Sequence, residues 1–168
     1  MNIDAFDRLD PAEARTVVAV WAAVPEWVDA VVAARPYGTV DALADHAAAL
    51  AATWSRDDLD AALAHHPRIG EKPTGAGAEA AASRREQSSM NDVDTDIAAR
   101  IAAGNAAYEE RFGRVYLIRA AGRTPAEMLA HLERRLGSDD DTEAAEAAAQ
   151  LAEIALLRLR GTITQGEP

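Results

Sequence analysis

Thr124-Pro125-Ala126-Glu127 opens a helix in four residues, and Asp10-Pro11-Ala12-Glu13 does the same near the other end of the chain. Each places a capping oxygen first, then Pro where its missing N–H costs nothing, then Glu where it can reach back to the cap. Working outward from these two starts, the punctuation predicts helices over 11–23, 25–34, 39–53, 56–65, 78–90, 92–112, 125–136 and 141–160, with stops at Pro36, Gly113, Gly137 and Gly161. Ser-Asp-Asp-Asp at 138–141 is suited to capping the last of them with negative charge at its N-terminus. The one stretch with strand-like alternation, Val115-Tyr116-Leu117-Ile118, is too short and solitary to build a sheet, and reads as an extended connector or a buried turn of helix. The expected fold class is all-α: a single compact helical domain of about eight helices over 1–161, then a short flexible tail over 162–168.

At 168 residues the chain can bury a core without staples. It has no cysteine, which removes disulfides, thiolate nucleophiles and Cys-ligated zinc from consideration. With 28 acidic against 17 basic residues the net charge is −11, so neither nucleic acid nor an anionic membrane is expected as a partner. Any bound anion must be gripped locally by a few arginines. The longest apolar run, Val17 to Pro25, is too short to span a bilayer, and no charged-then-apolar leader opens the sequence. The expectation is a cytosolic protein.

Chemistry concentrates in His65-His66-Pro67-Arg68-Ile69-Gly70-Glu71-Lys72 and Ser83-Arg84-Arg85-Glu86-Gln87. Pro67 and Gly70 interrupt helix beside an imidazole, and a hydroxyl, a carboxylate and an amide follow. Adjacent histidines point in different directions and rarely share one ion. His46 and His131 lie on other helices without local ligands, and no H-E-x-x-H occurs, so no metal site is expected. Two readings remain for the pair: a capping histidine, or one capping residue (His65) beside a general acid–base imidazole (His66). Ser83, Glu86 and Gln87 are spaced to share a helix face, leaving Arg84 and Arg85 turned away. The three glycines of 70–77 lack Walker spacing, and no nucleophile-elbow glycines surround Ser83 or Ser88. Trp21, Trp27 and Trp54 read as core or interface anchors, and Tyr108 and Phe112 as a packed pair.

At these residues the chain resembles the 2-oxo-4-hydroxy-4-carboxy-5-ureidoimidazoline (OHCU) decarboxylases of urate degradation. The match runs through His66-Pro67-Arg68-Ile69-Gly70, Ser83-x-x-Glu86-Gln87, Asn105-x-x-Tyr108-x-x-x-Phe112-Gly113, Ile118 to Gly122-Arg123, and a final Leu/Glu/Arg-rich helix. The resemblance implies an all-α, cofactor-free, usually dimeric enzyme that releases CO₂ from OHCU and yields (S)-allantoin. It implies His66 and Glu86 as catalytic residues. Pro67, Ser83, Gln87, Ile118 and an arginine, Arg119 or Arg123, make up the substrate-binding set. Ala121 stands where some relatives carry that arginine, so the choice between the two is open.

The residue types suit the reaction independently. Loss of CO₂ leaves an electron pair that must be delocalised before a proton reaches one face of the carbon. An imidazole can move the proton, a carboxylate can orient N–H groups, and an arginine can hold oxygen. The reading from a different class is a non-catalytic helical binding or assembly module whose His-Pro loop docks a partner.

Overall fold

The computed structural model describes residues 1–64, 66–71 and 77–166. His65 and most of the glycine-rich loop, both singled out in the sequence, lie outside the described residues. Among those described are nine α-helices: α1 (Ile3–Asp7), α2 (Pro11–Trp21), α3 (Pro25–Ala33), α4 (Val40–Ala51), α5 (Arg56–Leu63), α6 (Ala78–Glu86), α7 (Thr95–Phe112), α8 (Pro125–Arg135) and α9 (Asp140–Thr162). A 3-10 turn, Ser88–Met90, lies between α6 and α7. No strand forms among them, and the fold is all-α.

Both Pro-led starts cap as their sequence dictates. Asp10 accepts from Ala12 N, and Thr124 and Glu127 form a reciprocal capping box at the head of α8. Asp139 caps α9, accepting from Thr142 N. Most other ends shift by a residue or two from expectation, α9 among them, which runs through Gly161 to Thr162, and three differences are larger. The predicted helix over 78–90 ends at Gln87, where the backbone leaves helical geometry and tightens into the 3-10 turn. The one predicted over 92–112 starts at Thr95, because Asp94 caps the N–H of Asp96 at 2.8 Å. The short α1, set by an Asn2 cap on Ala5 N, had no apolar periodicity long enough to announce it.

Of the tail expected over 162–168, residues 167 and 168 lie outside the described residues, and the chain through Gln165 is docked. Ile163 is buried, Thr164 N donates to Met1 O at 2.9 Å, Ile3 N donates to Thr164 O at 2.9 Å, and the Gln165 side chain accepts from Val40 N at 3.2 Å. The apolar Ile163 among polar neighbours is the anchor.

Two hydrophobic cores form. The larger unites α1 to α5 with α9 and contains Trp21 and Trp27, with Trp54 packed against it. The smaller joins α7, α8 and the irregular connector 115–120, which gives Tyr116, Ile118 and Ala120 to this core while Leu117 points into the larger one. Here Tyr108 stacks on Phe112 with ring centroids 4.8 Å apart. α7 and α8 close on each other at Gly104, where a Cβ would lie 2.5 Å from Leu132 Cδ2. A fully buried Arg135 sits inside this core; its Nε donates to Glu143 Oε1 at 2.9 Å and its Nη1 to Leu117 O at 2.7 Å.

α9 is shared by everything. Its buried stripe, Ala144, Ala147, Leu151, Ile154, Ala155 and Leu159, repeats every three or four residues and packs on α2, α4 and α5. Arg158 falls on that same stripe.

Candidate active site

Helices α2, α6 and α9 leave between them an open cleft of about 930 Å³. α6 lines it with Ala78, Ala81, Ala82, Arg85 and Glu86, a stripe of three- and four-residue spacing. α2 contributes Thr16, Val17 and Val20, and α9 contributes Leu157, Arg158, Gly161 and Thr162. The walls are therefore apolar, and charge is confined to a few points.

The central polar contact is between Glu86 and Arg158. Arg158 Nε donates to Oε1 at 2.6 Å and Nη2 to Oε2 at 2.9 Å, the bidentate fit of a planar guanidinium on a carboxylate. The same Nη2 reaches Ser83 Oγ at 3.2 Å, and Nη1 donates to Val20 O at 3.0 Å. Every branch of the arginine is thus held by α2 or α6. Ser83 is almost fully buried, one turn back from Glu86.

His66 sits at the start of the loop after α5, its N–H bonded to Leu63 O at 3.0 Å. Both ring nitrogens are buried, and among the described residues neither has a hydrogen-bond partner. Burial, then the positive charge of Arg158, push its pKa from 6.5 down to about 4, partly offset by the Pro67 carbonyl and by Glu86. The imidazole is accordingly neutral at neutral pH. It does not line the open cleft, but Glu86 and Arg158 lie within electrostatic reach of it.

The other residues expected at the site have particular places. Pro67 is partly buried beside the imidazole. Gln87 is turned from the cleft to the loop, accepting from Gly70 N at 3.0 Å and donating to Arg68 O at 3.3 Å. Ile118 is packed in the smaller core with Tyr108 and Tyr116. Arg119 is occupied with Glu153 at 2.8 Å and Ala121 O at 2.7 Å, and Arg123 with Arg119 O at 2.5 Å and Gln150 at 3.1 Å. Neither lines the cleft; Ala121, between them, does. Arg85, which helical geometry relative to Ser83 turned outward, lines the cleft because the lining stripe of α6 runs through 78, 81, 82, 85 and 86. Arg158 was not among the residues the sequence singled out. Its signal was an arginine at an apolar-stripe position of the last helix.

A carboxylate paired with a chelating guanidinium at an apolar cleft, with a buried imidazole in electrostatic reach, is an arrangement suited to acid–base chemistry in a small helical protein. Comparison with known proteins is specific about which. The sequence profile of the family described as OHCU decarboxylase matches residues 7–160, and the chain belongs to that family of carboxy-lyases. It is 31% identical over 127 residues to the 2-oxo-4-hydroxy-4-carboxy-5-ureidoimidazoline decarboxylase of Mus musculus, covering 74% of this chain and 71% of the mouse protein. It is 35% identical over 100 residues to that of Amia calva, covering 58% and 57% of the two chains. Among solved structures it is similar to an OHCU decarboxylase crystallised in the presence of (S)-allantoin, with a TM-score of 0.73 and 26% identity over 85% of this chain and 94% of that one.

Proposed function

We propose that this protein decarboxylates OHCU to (S)-allantoin, with His66 as the proton-transfer group, Glu86 orienting the substrate and Arg158 holding its carboxylate or ring oxygen. The observation that carries this reading is the juxtaposition of a neutral, unpartnered imidazole with the Glu86–Arg158 pair beside an apolar cleft. In the empty site Glu86 satisfies Arg158. A substrate carboxylate competes for that guanidinium and frees Glu86 to accept from ureido or ring N–H groups. Placing an anion near His66 and neutralising Arg158 both favour the imidazolium, so the ring becomes a stronger base once substrate is bound.

The C–CO₂ bond breaks first: its electron pair forms a double bond to the neighbouring ring carbon, whose C=N pair moves onto the nitrogen, which takes up a proton from water. The hydroxyl proton of the resulting enol then passes to His66 as its carbon becomes a carbonyl, and the released pair takes a proton on one face of the neighbouring carbon. The substrate acts as its own electron sink, so this scheme requires no cofactor. Ser83 holds Arg158 in register. The roles first considered for Arg119 and Arg123 fall in this scheme to Arg158, and Pro67, Gln87 and Ile118 shape the site from behind.

The test is incubation with freshly generated OHCU while optical activity is followed. Fast appearance of optically active (S)-allantoin is expected. A helical binding or assembly module would leave the slow spontaneous decay and its racemic product unchanged. We further take the working form to be a cytosolic homodimer, for which half-exposed Leu157 at the cleft edge offers apolar surface. Sedimentation at micromolar concentration showing only the 17.8 kDa monomer would remove the dimer and leave the chemistry standing.

A further inference from the structure

The loop carrying His66 is not held by close packing. Beside residues 68–71 lies a hollow of about 290 Å³ bordered by Met90, Val93 and Ile101, and among the described residues of the loop only Ile69 inserts an apolar side chain into a core. What fixes it is a set of side-chain hydrogen bonds to its backbone and to Arg68. Asn105 Nδ2 donates to Ile69 O at 3.0 Å, and the Gln87 amide spans Gly70 N and Arg68 O. One turn further along α7, Glu109 accepts from Arg68 Nε at 2.5 Å and from Nη2 at 2.8 Å. Gly70 has φ +87°, a left-handed turn that points these loop groups at α7 and the end of α6. Gln87 adjoins Glu86, so one clamp joins the loop to the helix bearing the site carboxylate, and the other joins it to α7, which does not line the cleft.

We propose that Asn105 is a positioning residue for His66, acting through the Ile69 carbonyl, with Glu109 reinforcing it through Arg68. This rests on the catalytic role proposed for His66. Asn105 is 5% exposed and its Nδ2 is bonded to the loop alone, so its influence on substrate passes through the loop. Losing that tether lets the imidazole shift relative to Glu86 and Arg158 and admits water to ring nitrogens that are now buried.

The test is Asn105→Leu, a neutral side chain of similar shape without the donor, assayed for turnover and for His66 ionisation by NMR of its ring Cε1–H. The expected result is a kcat lowered about tenfold with KM within about twofold of wild type, since misplacement affects chemistry more than binding. The His66 ionisation should climb from about 4 toward its unperturbed value as the ring is resolvated. Glu109→Gln, on the more exposed flank of the same clamp, should move both readouts in the same direction by about threefold in kcat, and it decides the matter if Asn105→Leu does not fold. A folded variant of either kind with wild-type kcat and an unmoved His66 ionisation overturns the proposal. If wild-type protein makes no (S)-allantoin, the decarboxylase reading fails on its own, and the NMR readout still tests whether Asn105 places the ring.

Discussion

His66→Asn keeps polarity and approximate size while removing a proton carrier, and the fold should survive it because neither ring nitrogen makes a hydrogen bond. Turnover should fall by about 10²–10⁴ if the imidazole is the acid–base group. A folded variant with near-normal turnover excludes that role. The pH dependence is equally specific. Because kcat/KM reports the free enzyme, its acid limb should lie near pH 4, where burial and Arg158 have pushed the ring, instead of near 6.5. A limb near 6.5 would mean a solvated ring. The same shift acts on stability. The unfolded chain binds its proton near pH 6.5 and the folded one near 4, so the contribution is fully present above about 6.5 and is lost as the pH falls to about 4. It amounts to about 3 kcal/mol, and a melting series should show it in wild type and lose it in His66→Asn. Among arginines, Arg158→Gln should lower activity far more than Arg119→Gln or Arg123→Gln, whose side chains serve Glu153, Gln150 and backbone carbonyls. A larger loss from either of those two would place the anion elsewhere. His66 was singled out in the sequence by its helix-breaking surroundings, and Glu86 by the family resemblance. Arg158 was not, because Leu156-Leu157-Arg158-Leu159-Arg160 reads as an ordinary amphipathic helix until its partners are known.

Helix starts were legible to the residue where the cap is followed by Pro, as at Asp10 and Thr124, since that information is local; the starts capped by Asn2 and Asp94 were not. Ends set by tertiary demand were not. Gly161 does not stop α9, because Thr162 Oγ1 bonds back to Arg158 O at 2.7 Å and Ile163 is drawn into the core. Gln87 ends α6 while its amide serves a loop seventeen residues away in sequence. The stripe rule on α6 shows a similar limit: spacing correctly put Ser83 near Glu86, but which stripe faces the cleft depends on where α2 and α9 lie. Close approach of α7 and α8 gives a prediction at this scale. Gly104→Ala gains some helix propensity but drives a methyl against Leu132, which is fully buried and cannot retreat. The net effect should be a loss of about 1–2 kcal/mol in denaturant unfolding, with little change in turnover by the folded fraction. An unchanged midpoint would mean the interface relaxes freely.

The all-α class was legible because caps, breakers and alanine content all agreed, whereas the division into two cores was not, since no periodicity reveals which helices meet. The buried arginines make the same point. Arg135 and Arg158 both fall on apolar stripes, of α8 and α9, and only the fold separates them: one is sealed in the smaller core with Glu143, and the other opens to the cleft. Glu143→Gln should cost about 3 kcal/mol by leaving buried Arg135 with only the more distant Glu146 carboxylate, 3.9 Å away, as counter-charge, measurable as a lowered unfolding midpoint. A neutral outcome would show that water reaches the pair. α9 holds both arginine sites at once, gripping Arg135 through Glu143 near its start and presenting Arg158 fifteen residues later, about 22 Å along the same axis. Its length therefore works as a gauge. A single alanine inserted between these points would rotate everything beyond it by about 100° and bring Leu157 to the place of Arg158. The middle of this helix should accept many substitutions but no insertion, so relatives that diverge freely in its composition are bound to agree in its count.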